Sequence, residues 1–138
     1  MTVQLSPYLN FRTEAREAME FYKSVLGGDL IVSTFADFQA PVEDSEKDLV
    51  MHSQLTTPIG LLLMGADTPS QMEYRPAGGF AVSLSGDDEA ELTAYWNRLS
   101  AGAEIQEPLE KAPWGDSFGM LTDKFGVAWL VNISATAA

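Results

Sequence analysis

Apolar residues near the start of the chain recur at helical spacing, with Ala15, Ala18, Met19, Tyr22, Val25 and Leu26 on one face. Thr13 stands where an N-cap belongs, and Glu14 follows it in the positive first turn. Gly27-Gly28 closes the helix, since glycine accepts the left-handed conformation of a C-terminal cap. The pattern then changes. Residues 29–35 are β-branched and apolar, and residues 49–57 and 59–64 read as two strands joined tightly at Thr57-Pro58. Ahead of the helix, residues 3–11 read as an opening strand that tolerates Pro7, hence one near a sheet edge. Residues 37–48 form the longest loop and the segment expected to move most.

The same order returns in the second half. Phe80, Val82 and Leu84 alternate as a half-buried strand. Asp88 and Glu91 have capping-box spacing at the head of a helix whose apolar face is Leu92, Tyr95, Trp96 and Leu99. Gly102 stops it, and residues 105–109, 117–122 and 127–133 supply three more strands, with Gly126 shaping the last turn. Residues 14–31 align with residues 88–105 at a constant offset. Glu17 then falls on Glu91, Phe21-Tyr22 on Tyr95-Trp96, Gly28 on Gly102 and Ile31 on Ile105. A repeat of this length is a supersecondary module rather than a solenoid unit. The prediction is an α+β fold: two βαβββ modules, residues 1–66 and 79–134, forming a curved mixed sheet with the helices outside. Residues 67–78, with Pro69, Pro76 and a Gly-Gly end, read as the linker of this single domain. Two such modules can enclose a cavity, and any function is expected there.

Composition narrows the function classes. The chain has 138 residues, enough for one domain with a real core, and its hydrophobic and charged content is that of a globular protein. A formal charge of -12 argues against nucleic acid and anionic membrane surfaces as partners, because both demand basic patches. The absence of cysteine removes disulfides, thiolate catalysis and sulfur-ligated metals. The opening MTVQLSPYLNF does not read as a signal peptide, and no apolar run reaches membrane-spanning length, so a cytoplasmic protein is expected.

The segments LSPYLNF (5–11), EAMEFYKSVLGG (17–28), MGAD (64–67) and WGDSFGMLTDKFGVAWLVN (114–132) resemble the PhnB-like branch of the vicinal oxygen chelate superfamily. That superfamily includes glyoxalase I, extradiol dioxygenases, and bleomycin and fosfomycin resistance proteins. The resemblance implies paired βαβββ modules, each curling into a partial barrel, and a homodimer. In metal-dependent members, four ligands come from the first and last strands of the two modules, where a divalent ion finds nitrogen and oxygen donors. Carried over one by one, those positions fall near Pro7, Met64 or Gly65, Gly79 or Phe80, and Leu130. None supplies the usual donor, so neither a metal nor another cofactor is expected.

Candidate chemistry is sparse. His52 is the sole histidine and the only side chain whose unperturbed pKa lies near neutrality. By alternation it shares a face with Val50 and Gln54, while Met51, Ser53 and Leu55 face the other way. It reads either as a pocket histidine or as a satisfied strand histidine. Tyr8, beside the vacant ligand position, reads as a ligand-binding phenol or an edge-strand packing residue. Trp114, in a loop with Gly115 and Asp116, reads as a pocket wall, a core-closing residue or an interface tryptophan. Asp67 reads as a cap on its own turn in preference to a ligand contact. Trp129 reads as core, and the acidic run Glu43, Asp44, Glu46 and Asp48 as a solvated loop without calcium-loop spacing.

Tyr8, His52, Gln54 and Trp114 are therefore the candidate lining residues for an unidentified small molecule. Two rival functions remain: a metal-dependent isomerase, lyase or dioxygenase with His52 as a donor, and drug sequestration in an acidic groove. No dinucleotide fingerprint, phosphate loop or nucleophile elbow occurs. A demethylubiquinone methyltransferase label attaches to some PhnB-like sequences, yet no glycine-rich strand-turn-helix here could hold S-adenosylmethionine.

Overall fold

The computed structural model describes residues 3–76 and 78–135. Met1 and Thr2 of the opening segment and Ala77 of the expected linker lie outside the described residues. The chain divides between Pro76 and Ala77 into two compact units. Each is a βαβββ module with its own four-stranded mixed sheet and one helix.

The first unit contains β1 (Tyr8–Phe11), α1 (Ala15–Leu26), β2 (Asp29–Thr34), a 3-10 turn (Asp44–Glu46), β3 (Val50–Thr56) and β4 (Leu62–Asp67). Its strand order is β1-β4-β3-β2, with β1 parallel to β4 and the other pairs antiparallel. The helix buries the six residues expected from periodicity against β2, β3 and β4. Leu9, Phe11, Leu55 and Leu63 meet it from the sheet. Each large apolar side chain removed from water there contributes roughly 1.5–3 kcal/mol.

β1 is an edge strand, but it begins at Tyr8 rather than at residue 3. Pro7 lacks an N–H to donate; its carbonyl accepts the Met64 N–H at 3.1 Å and forms the last link before the chain leaves the sheet. Thr13 is not the helix cap. Glu14 occupies the N-cap position without a side-chain cap bond, and the Ala15 N–H is taken instead by Asp67 Oδ1 at 2.8 Å. At the other end, Gly27 and Gly28 take φ of 77° and 97°, as the expected glycine stop requires.

The second unit contains β5 (Val82–Gly86), α2 (Glu89–Leu99), β6 (Glu104–Lys111), β7 (Ser117–Thr122) and β8 (Ala128–Ile133), in the order β5-β8-β7-β6. Asp88 Oδ1 caps α2 by accepting the Glu91 N–H at 3.1 Å. Leu92, Tyr95, Trp96 and Leu99 pack on β5 and β8, around the fully buried Trp129. Asp123 organises the β7–β8 turn. Its Oδ1 accepts the N–H groups of Phe125 and Val127, and its Oδ2 accepts the Trp129 indole N–H at 2.8 Å. The edge strand β6 is exposed almost throughout, and Pro108, two bulges and its charges keep it from recruiting another strand. Among the described residues no helix is long and apolar enough to cross a membrane.

Candidate functional site

Each helix covers one face of its own sheet and leaves the other open. On the first sheet, register places Tyr8 beside Met64, Met64 beside Gln54 and Gln54 beside Ile31, a row running across all four strands. Period-two alternation keeps this row on the face away from the buried Leu9, Leu55 and Leu63. His52 and Asn10 belong to the same face.

A bulge decides what accompanies them. Ser33 pairs with His52 but Thr34 pairs with Val50, so β3 carries one extra residue, Met51, at this point. Val50 is thereby returned to the core, 1% exposed, and does not share the face of His52 and Gln54 as simple alternation predicts. Met51 is turned outward. The bulge is anchored by Asp67, whose Oδ2 accepts the Val50 N–H at 2.8 Å while its Oδ1 holds Ala15. Asp67 is thus the last residue of β4, buried, and bonded to backbone from two distant elements rather than to its own turn. Desolvation raises its pKa above the ordinary carboxylate value, against the lowering effect of its two backbone bonds.

On the open face Tyr8 Oη lies 3.4 Å from His52 Nδ1, a long hydrogen bond, and the two rings stack with centroids 5.9 Å apart. Burial pushes the Tyr8 phenol pKa up, so the phenol stays protonated and able to donate near neutrality. Gln54 makes only a 3.4 Å contact to Thr56 Oγ1. The structure therefore brings together three of the four candidate residues. Trp114 belongs to the second unit, where it is 65% exposed at the tip of the β6–β7 turn and meets Phe118 edge-on. It does not close a core.

Beside the Tyr8–His52 pair is a pocket of about 470 Å³, within the range of small-molecule sites. Tyr8, Phe35, Met51, Ala66 and Met72 give it an apolar wall, and Asn10, Asp67, Thr68, Glu73 and Arg75 its polar groups. Asn10 was legible from its alternation with Tyr8. Met51 was hidden by the bulge, and Met72, Glu73 and Arg75 by the reading of their segment as linker. That segment remains with the first unit. Glu46, in the acidic loop, accepts both the N–H and the hydroxyl of Ser70, at 2.7 and 3.0 Å, and so ties the loop to it.

The positions that the resemblance assigns to metal ligands shift slightly. Pro7 precedes β1, and Gly79 and Phe80 precede β5. The open-face residues paired across these strands are Tyr8 with Met64 in the first unit and Ser83 with Leu130 in the second. A phenol, a thioether, a hydroxyl and an aliphatic chain do not fit a divalent ion that requires imidazole or carboxylate donors. Among the described residues, no three His, Cys, Asp or Glu side chains are grouped to hold one.

Comparison with known proteins agrees with this architecture. The family described as 3-demethylubiquinone-9 3-methyltransferase matches residues 3–132. YjdN of Escherichia coli K12 is 26% identical, with 94% of each chain covered. The crystal structure of PA1353 from Pseudomonas aeruginosa is 38% identical, with a TM-score of 0.85 over 98% of this chain and 100% of that one. A Bacillus cereus PhnB protein, described as a putative 3-demethylubiquinone-9 3-methyltransferase, is 25% identical, with a TM-score of 0.75 over 96% of this chain and 100% of that one. A glyoxalase/bleomycin resistance protein/dioxygenase family enzyme from Burkholderia phytofirmans, 15% identical, shares the fold alone, with a TM-score of 0.59 over 91% and 95%. The chain belongs to the PhnB-like 3-demethylubiquinone-9 3-methyltransferase family and has the fold seen in glyoxalase/bleomycin resistance/dioxygenase proteins.

Proposed function

We propose that this chain binds a small molecule on the open face of its first sheet, without a metal at the positions relatives use. One observation supports this above the rest. The only histidine and a protonated tyrosine meet beside a pocket of suitable size. With the Nε2–H tautomer, His52 Nδ1 accepts from Tyr8 Oη; rotation of the phenol frees both groups for a ligand. Neither role needs a metal. The scaffold hosts many chemistries, so the fold supports the site and not a reaction. The methyl transfer in the family's descriptive name gains no support from the motifs of this sequence.

The sole histidine makes a clean reporter. In a fragment titration followed by NMR, binders should shift the His52 imidazole and the Met51 methyl together, and Tyr8→Phe should weaken them. Binders that move neither signal would overturn the reading. So would purified protein carrying a stoichiometric divalent metal that His52→Ala releases. The family resemblance also supports a homodimer, which a single 15.0 kDa species in sedimentation equilibrium would refute.

A further inference from the structure

We infer that the ligand of this pocket is an uncharged, ring-bearing molecule with a hydroxyl or carbonyl group, an inference that rests on the open-face site proposed above. Three ionisable carboxylate or guanidinium groups line the pocket, and each is already engaged. Asp67 is 7% exposed and both its oxygens accept backbone N–H groups at 2.8 Å. Arg75 Nη2 donates to Glu73 Oε2 at 3.1 Å, so these two present a dipole to a guest rather than a net charge.

An anion drawn to Arg75 would meet Glu73, and a cation drawn to Glu73 would meet Arg75. The pair is exposed and weak in itself, but either exchange leaves two like charges adjacent. The groups with free hydrogen-bonding capacity left for recognition are neutral. The Asn10 amide has no protein partner among the described residues, and the Tyr8 phenol has only its long contact to His52. Each can serve one hydroxyl or carbonyl oxygen. Apart from the Thr68 hydroxyl, itself neutral, the rest of the wall is soft and polarisable. Met51 and Met72 present thioethers at 38% and 59% exposure, facing the same space as the Tyr8 and Phe35 rings. Thioethers and aromatic rings both favour contact with a flat ring.

Three probes sharing one ring system test this: 2-naphthol, 2-naphthoate and 2-naphthylmethylammonium, titrated at pH 7 against the intact protein. The Met51 and Met72 methyl signals report occupancy. The expectation is that 2-naphthol moves both methyls and that each ion binds about tenfold more weakly or worse. Glu73→Gln should then tighten 2-naphthoate, and Arg75→Gln should tighten the ammonium probe, while 2-naphthol changes little in either. Equal or tighter binding of an ion by the unmodified protein would overturn the neutral-ligand inference and leave the pocket in place. Ions that stay weak in both variants would show that hydrophobicity alone set the order, and would also overturn it. If no probe moves either methyl, the pocket itself is not the site, and both readings fall.

Discussion

Asp67, at the end of β4, takes the backbone N–H of Val50 at 2.8 Å, the residue just ahead of the Met51 bulge. Its other oxygen holds Ala15 at the head of α1, so one carboxylate joins three elements of the first unit. The bulge matters because it puts Val50 in the core and Met51 in the pocket. Asp67 is therefore a positioning residue for the open face.

Asp67→Asn should destabilise the protein by about 1–3 kcal/mol. The amide oxygen can replace one acceptor, but its NH₂ faces the second buried N–H and leaves it unsatisfied. The pH dependence has a definite sign. A folded pKa raised above the unfolded value means that this group stabilises the fold fully below the unfolded pKa of 3.8, and that the contribution is lost as pH rises through the folded value. Protonating Asp67 therefore does not itself drive acid unfolding. Urea midpoints measured at pH 4 and pH 7 should show a larger deficit for the variant at the lower pH. An equal deficit at both would contradict the raised pKa.

His52→Ala should change stability by no more than about 0.5 kcal/mol. The side chain is half-buried on the open face, and its one direct polar contact is the 3.4 Å approach of Tyr8. Denaturant titration decides the matter. A loss of about 2 kcal/mol or more would make His52 a packing residue and remove the main reason for placing a site there.

The helices, their buried faces and the doubled strand order were legible because each rests on a local period. The α1 face and the Asp88 cap depend on residues within a few positions of one another. The candidate site depends on pairings across the sheet, and these are not local. Nothing near Val50 announces that Thr34 will pair with it and push Met51 out. Nothing near Ala15 announces that its N–H will be capped from 52 positions away. Thr13 had the right chemistry for the cap, but the better acceptor arrived from β4. Trp114 shows the opposite limit. A loop aromatic beside a glycine carries no period at all, so sequence alone could not choose between pocket wall, core and interface.

Gly119→Ala should cost about 1–3 kcal/mol by overpacking. A Cβ at this position in β7 would stand 2.8 Å from Trp96 Cη2 and 2.9 Å from the Leu109 Cα. The first contact belongs to a large indole already locked between α2 and the sheet, and the second is backbone, so neither can yield cheaply. Thermal unfolding of the variant gives the cost directly. Unchanged stability would mean that Trp96 is held more loosely than its burial implies.

Tyr95 links alkaline stability to α2. Its phenol is buried beneath the helix, and desolvation, followed by the Glu91 carboxylate that accepts its hydrogen bond and repels its anion, pushes its pKa up to about 12. In the unfolded chain the same phenol titrates near 10.0. Its stabilising contribution is thus fully present below pH 10 and is lost as pH rises toward 12. Tyr95→Phe should remove that part of the pH dependence while sacrificing one hydrogen bond at neutral pH. Urea midpoints of both proteins from pH 9 to pH 12 should therefore converge as pH rises. Curves that stay parallel would mean that the phenol ionises in the folded state as readily as in the unfolded one.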